Sequence, residues 1–238
     1  MQTQDVDYRD EAVNLRGYLA FDETGSRTRP GVLVFHEGLG LGDFVMARAR
    51  MLADLGYVAL AADMFGERRQ ARNLQEVANL VGDLRNAPQT LRARARAAHS
   101  TLAALPQVDA KRIAAIGFCF GGSVALELAR EGADLGAVVS FHGVLTTRIP
   151  AAPGAVKARV LVCTGADDPL APPEQVRAFE EEMRAAAVQD WQIISYGNTL
   201  HGFTNPAADG SMMRTARYNA QADRRSWVSM QSLFDEVF

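Results

Sequence analysis

The run Gly117-Phe118-Cys119-Phe120-Gly121-Gly122 sets one thiol among small residues, where an apolar stretch ends and a helical one begins. Residues 113–118 (IAAIGF) are uncharged and strand-like, and residues 123–130 (SVALELAR) carry helical spacing. A sharp strand-to-helix turn of the G-x-nucleophile-x-G kind lifts its central side chain off the strand end, and flanking glycines let the neighbouring chain come close. A thiol at a helix start also meets the positive end of the helix dipole, which favours the thiolate. A cysteine taken alone is more often a small buried hydrophobe. The strand–turn–helix setting reverses that preference and makes Cys119 a candidate nucleophile.

Two more reactive groups follow at matching places. The run VLVCTGADDPLAP ends a strand-like stretch in a loop holding Asp167 and Asp168, and WQIISY is followed by Gly197-Asn198-Thr199-Leu200-His201-Gly202-Phe203. An aspartate beside Pro169 is by itself a common turn residue, and a lone histidine is commonly a surface one. Nucleophile, acid and histidine in this order, each just past a strand, is the arrangement of α/β-hydrolases. His142, in SFHGVL at another strand end, is either a pocket wall or a hydrogen-bonded core residue; His99 and Cys163 read as structural.

The elements that must position these groups are legible as alternating patterns. Residues 5–9 and 13–21 read as an edge hairpin at the amino terminus. Residues 32–36, 57–62, 113–118, 137–141, 160–164 and 191–196 read as strands, the first five as nearly continuous apolar runs. Such runs suit strands buried on both faces. Leu91, Ala95, Ala98, Leu102 and Leu105 form one helical stripe, and Trp227, Met230, Phe234 and Val237 form another. Pro173 and Glu174 suit the first turn of a helix running to about Ala187. The expected fold is α/β: a mostly parallel central sheet with helices on both faces, its reactive residues gathered at the carboxyl ends of the strands. Residues 64–90 carry only a weak helical pattern (Leu74, Val77, Leu80, Val81, Leu84) and are expected to form a short cap beside the site within a single domain spanning 1–238.

Bulk properties exclude several classes. The 238 residues are 48% hydrophobic and 22% charged, with a formal net charge of −3, and no linker or repeat divides them. The arginine clusters (Arg68, Arg69, Arg72; Arg92, Arg94, Arg96) read as solvated helix faces, so no nucleic-acid partner is expected. The opening MQTQDVDYRD shows no basic or apolar leader segment. The longest uncharged run, residues 113–126, is broken by glycines and is shorter than the roughly 18 apolar residues a membrane helix needs. Two cysteines do not make a disulfide framework. The expectation is a cytoplasmic protein with free thiols and no membrane partner, monomeric or a small homo-oligomer.

GFCFGG, GADDPLAP and LHGF, together with VFHEGLGLGD and GYVALAADMFG, resemble the motifs of the dienelactone hydrolase family over nearly the whole chain, least between Glu67 and Thr90. The resemblance implies the α/β-hydrolase fold, Cys119 as nucleophile, His201 as general base and Asp168 as the residue orienting the imidazole. It places Glu37 beside the resting thiol, controlling when the thiolate forms, and adds the N–H of Gly38 to that of Phe120 as oxyanion donors. The implied reaction is hydrolysis of a small-molecule ester or lactone through a thioester acyl-enzyme, without cofactor or metal. The sequence departs from the family at Asn205, where the family carries an arginine that grips a substrate carboxylate. A second family arginine falls in the poorly matching segment, with Arg68, Arg69 and Arg72 as its candidates. Loss of one arm of a bidentate clamp preserves the reaction class and puts the named substrate in question.

Parts of the sequence also fit three rival readings. Residues 32–36 followed by Gly38-Leu39-Gly40-Leu41-Gly42, with Asp63 about twenty residues on, partly match a dinucleotide fingerprint, but Asp43 or Val45 stands where its third glycine belongs. His36-Glu37 lacks the second histidine of a zinc protease, since Gly40 stands there. A hydrolase-fold sensor that binds its ligand and turns over slowly would carry the same triad.

Overall fold

The computed structural model describes residues 1–11, 13–22 and 28–238. In chain order the elements are β1 (Gln2–Arg9), β2 (Asn14–Phe21), β3 (Arg29–Phe35), α1 (Asp43–Asp54), β4 (Val58–Ala62), α2 (Leu74–Asn86), α3 (Pro88–Ala103), β5 (Val108–Phe118), α4 (Phe120–Arg130), β6 (Ala137–Phe141), β7 (Arg159–Gly165), α5 (Pro173–Ala185), β8 (Trp191–Tyr196) and α6 (Ala220–Val237). The eight strands form one sheet in the order β1-β2-β4-β3-β5-β6-β7-β8. The β1–β2 hairpin joins it antiparallel through β4, and every other pairing is parallel. This is the α/β-hydrolase arrangement, with the hairpin at the edge.

The apolar runs are buried on both faces because helices cover both. Along β3, Leu33 and Phe35 join the core under α3, α4 and α5, where Leu91, Ala98, Leu128 and Phe179 pack. Their neighbours Val32 and Val34 join the other core, with Leu52 of α1 and Met230 and Phe234 of α6. This period-2 sharing is why these strands read as unbroken hydrophobic stretches. Strand order reverses at β3, whose chain continues to β4 on one side while β5 pairs on the other. The loops after β3 and β5 therefore flank a crevice at the carboxyl ends of the strands, the usual ligand position in open α/β sheets.

Two expectations change. Strand β5 begins at Val108 rather than at 113, because Val108 and Asp109 pair with Arg29 and Pro30 across a register shift in β3. The arginines of α3 form a solvated face only in part: Arg96 is exposed and pairs with Glu131, whereas Arg92 is buried against Glu127 and Arg94 pairs with Asp10 away from solvent. Each reaches a carboxylate distant in sequence, so local spacing carries no trace of the pairing. Among the described residues no helix is long and apolar enough to cross a membrane.

Candidate active site

Cys119 stands alone between β5 and α4, with φ 54° and ψ −115°. A non-glycine residue held there stores on the order of 1–3 kcal/mol of backbone strain, which its surroundings must impose. Glycine makes the imposition sterically possible. A Cβ on Gly117 would lie 2.0 Å from the Gly121 carbonyl oxygen, and one on Gly121 would lie 2.1 Å from that of Phe35. The chain before the thiol, the chain after it and β3 thus meet at backbone contact. The Cys119 N–H donates to the Phe141 carbonyl at 2.9 Å, tying the turn to β6.

Asp168 follows β7 and turns inward, where its Oδ1 accepts from the Leu170 N–H at 2.9 Å and its Oδ2 lies 2.8 Å from His201 Nδ1. It is buried, whereas Asp167 faces solvent. The His201 backbone is clamped on both sides, its N–H donating to Thr215 at 3.0 Å and its carbonyl accepting from Arg217 at 2.9 Å. With Nδ1 committed to Asp168, Nε2 is left buried without a well-formed hydrogen bond. The group it couples to is Cys119. Burial pushes the thiol up, but the His201 charge, its N–H and the Gly38 N–H together bring it below the ordinary thiol value. Burial pushes the imidazole down, while the Cys119 thiolate and the Asp168 carboxylate more than reverse this and raise it to about 10. Thiolate and imidazolium each make the other's charged form favourable.

Glu37 and Gly38 reach the crevice from the loop after β3. His36 beneath them is fully buried and uses both nitrogens internally: Nδ1 lies 2.6 Å from the Glu37 carbonyl and Nε2 accepts the Met64 N–H at 3.1 Å. Burial raises the Glu37 carboxyl, opposed by a 2.9 Å hydrogen bond that Asn205 Nδ2 donates to its Oε2. Asn205, which stands at the family's arginine position, is therefore spent on Glu37. Phe120 opens α4, so its N–H is one of the donors a helix start leaves unpaired. Its ring stacks on Phe65 in the core. His142 does not line the cavity. It is buried beneath the elbow with both ring nitrogens engaged.

A cavity of about 590 Å³ opens above Cys119 and His201. Helix α2 forms one wall with Leu74, Val77, Val81 and Arg85, and the loop carrying Met212 and Met213 forms another. Of segment 64–90, helix α2 is the part that lines the cavity. Leu74, Leu170 and Met212 stay exposed at the cavity, giving it an apolar mouth. None of the three arginines expected here reaches it. Arg68 turns back to Asp5 and the Gly17 carbonyl, both at 2.7 Å, and Arg69 and Arg72 face solvent. The cause is the turn at Glu67 and Arg68, both at positive φ, which returns the chain to the hairpin. The cation that does line the cavity is Arg85, which has no hydrogen-bond or ion-pair partner among the described residues. Burial lowers its pKa, opposed by the charge of the Cys119 thiolate. Arg85 was findable: it lies four residues beyond Val81, on the face that Leu74, Val77 and Val81 define.

The glycine loop after β3 is filled by the protein itself. A Cβ on Gly40 would lie 2.4 Å from the Arg69 carbonyl oxygen, and Asp63 accepts the backbone N–H groups of Arg16, Phe65, Gly66 and Arg68. Among the described residues, that region offers neither an open phosphate cradle nor a free ribose-binding carboxylate.

A model of the dienelactone hydrolase family matches residues 15–238. The solved structure named m3DLH is 47% identical, with a TM-score of 0.96 and coverage of 100% of this chain and 98% of that one. A dienelactone hydrolase-like promiscuous phosphotriesterase from metagenomic libraries is 44% identical, with a TM-score of 0.93 and the same coverage. A Yersinia pestis protein named as a candidate carboxymethylenebutenolidase is 29% identical over 233 residues, 93% of this chain and 84% of that protein.

Proposed function

The chain belongs to the dienelactone hydrolase family and is a carboxylic ester hydrolase, and from that premise we propose that Cys119, His201 and Asp168 cleave esters or lactones by double displacement. The observation that carries this reading is the buried His201 whose Nδ1 is held by Asp168 and whose free Nε2 couples to Cys119. The Cys119 thiolate attacks the carbonyl carbon. The oxyanion rests on the N–H groups of Gly38 and Phe120, each such donor being worth roughly 3–4 kcal/mol in the transition state. Collapse expels the alkoxide, which takes the proton from the His201 imidazolium and leaves a thioester on Cys119. His201, now neutral, takes a proton from water as the water attacks the thioester. Collapse of the second tetrahedral intermediate releases the acid and restores the thiolate. Sulfur is a poorer match for amides, because an amine is expelled less readily than the thiolate.

The substrate is read from the cavity. Its walls are apolar apart from Glu37, Asn205, Asp209, Ser211, the catalytic pair and Arg85, and an unpaired guanidinium at such a wall suits a carboxylate on the substrate. With Asn205 held by Glu37, Arg85 would act as a single anchor rather than half of a clamp. Arg85→Met should raise KM for a carboxylate-bearing lactone about tenfold or more while leaving a neutral short-chain ester within about twofold, in line with a charge-assisted hydrogen bond of roughly 1.5–3 kcal/mol. Equal effects on both substrates would remove Arg85 from recognition.

The 44% identical phosphotriesterase favours a second electrophile. On an aryl dialkyl phosphate the thiolate would displace the aryloxide, forming an S–P bond that water then cleaves. Release of aryloxide by wild type and its loss in Cys119→Ala would support this reading. A protein that binds esters tightly and releases no product would instead be the sensor.

A further inference from the structure

We propose that His142 is a positioning residue that sets the nucleophile elbow and the His201 loop relative to one another. It follows β6, is fully buried at φ 41°, and donates its own backbone N–H to the Cys163 carbonyl at 2.8 Å. Its ring Nδ1 lies 3.1 Å from the Cys119 N–H, and its Nε2 lies 2.8 Å from Thr204 Oγ1. The Cys119 amide can only donate, so Nδ1 accepts, sharing that N–H with the Phe141 carbonyl at 2.9 Å. The ring proton is then on Nε2 and is donated to the Thr204 hydroxyl. One neutral imidazole therefore joins the backbone of the strained nucleophile to the residue three positions after His201.

The far end of this link is anchored. The Thr204 carbonyl accepts from Arg48 Nη2 at 2.7 Å, and the same nitrogen pairs with Asp223 of α6 at 2.6 Å. The Arg48 guanidinium lies among the rings of Phe44, Phe118 and Trp227, 5.2, 5.7 and 5.0 Å from their centroids. The His142 ring also meets those of His201 and Phe203 edge-on, each at 5.1 Å between centroids. The groups facing it are thus Cys119, Thr204, His201, Phe203 and, by charge, Arg48. A protonated His142 would turn a donor against the Cys119 N–H and set a second cation beside the His201 imidazolium. Burial and those two charges hold it well below the ordinary histidine value. His142 stays neutral while His201 is charged, and so keeps the link through the catalytic pH range.

Thr204→Val removes the accepting hydroxyl at nearly constant volume, and Thr204→Ser keeps it. His142→Asn keeps an acceptor near the place of Nδ1 but gives up the reach to Thr204. Thr204→Val and His142→Asn should lower kcat on an activated ester by on the order of tenfold or more with KM within about twofold, as expected when bound groups lose their alignment. Both should move the pH profile of Cys119 alkylation by iodoacetamide upward, and Thr204→Ser should restore rate and profile. The proposal is overturned if Thr204→Val keeps wild-type kcat and alkylation profile, or if Thr204→Ser is as impaired as Thr204→Val. The inference rests on Cys119 and His201 as the reacting pair, and the two fail separately. Ester hydrolysis that survives Cys119→Ala defeats that reading, whereas an active wild type matched by Thr204→Val defeats only the role of His142.

Discussion

Asp167 and Asp168 are adjacent in the chain, yet one faces solvent and the other is buried 2.8 Å from His201 Nδ1. Asp168→Asn replaces the acceptor with a group that supports the wrong imidazole tautomer, and kcat should fall by roughly 10²–10⁴-fold. Asp167→Asn should leave kcat within about twofold. Steady-state rates on one activated ester compare the two, and the reverse ranking would transfer the role to Asp167. The charges of the thiol and imidazole set a pH window. Cys119, held below its ordinary value, loses its thiolate as pH falls through that lowered pKa, and His201 loses its proton as pH rises through about 10. Alkylation of Cys119 should therefore persist below the ordinary thiol range near about 8.5. In His201→Ala, with the cation gone, the alkylation profile should move upward. An unchanged profile would mean that His201 does not hold the thiolate. At this scale the order of Cys119, Asp168 and His201 was legible because each follows a strand end. The bond from Asn205 to Glu37 and the reach of Arg85 were not, since both depend on where a distant segment folds back.

Two glycines separate the demands of the elements. Gly121 lies at the crossing of α4, β5 and β3, and the nearest atom its Cβ would meet is backbone at 2.1 Å, which cannot yield as a flexible side chain would. Gly82 sits inside α2 with nothing within 4 Å. Gly121→Ala should cost more than about 3 kcal/mol of stability through overpacking, whereas Gly82→Ala should be neutral to stabilising by up to about 1 kcal/mol through helix propensity. Thermal melts of the two proteins check this, and a tolerated Gly121→Ala would contradict the close approach at the elbow. Strands β3 to β7 were readable because burial on both faces gives each of them an unbroken apolar run. The first residues of β5, Val108 to Ala110, were not, because they lead into the charged Lys111 and Arg112 and pair only through the register shift in β3. Helix α2 was visible only as a weak stripe, since part of the face it presents lines a cavity rather than a close-packed core.

Across the molecule, a buried ion network holds the helix that starts just after Cys119. Glu127 of α4 accepts from Arg92 of α3 and Arg130 of its own helix, while Arg130 also reaches Glu182 of α5 and the Leu145 carbonyl, and Arg92 reaches the Ile149 carbonyl. Glu127→Ala would leave buried arginine charge uncompensated, and urea unfolding should show a loss on the order of 3–5 kcal/mol. The folded fraction should keep the wild-type pH profile of Cys119 alkylation, because the network touches neither Cys119 nor His201. A stability change under about 1 kcal/mol would show that solvent reaches the site and screens the charges. The alternating pattern of strands and helices announced the fold as a whole, but this network could not be read in advance, since its partners lie up to 57 residues apart.

The central claim is that Cys119 carries the acyl group. Wild type and Cys119→Ala should be mixed with a short-chain activated ester, quenched within the first turnovers and weighed intact, with the adduct then located in a peptide digest. The account predicts an acyl adduct on the Cys119 peptide of wild type, followed by steady release of acid, and neither adduct nor turnover in Cys119→Ala. An adduct on another residue, or wild-type turnover by Cys119→Ala, would contradict it.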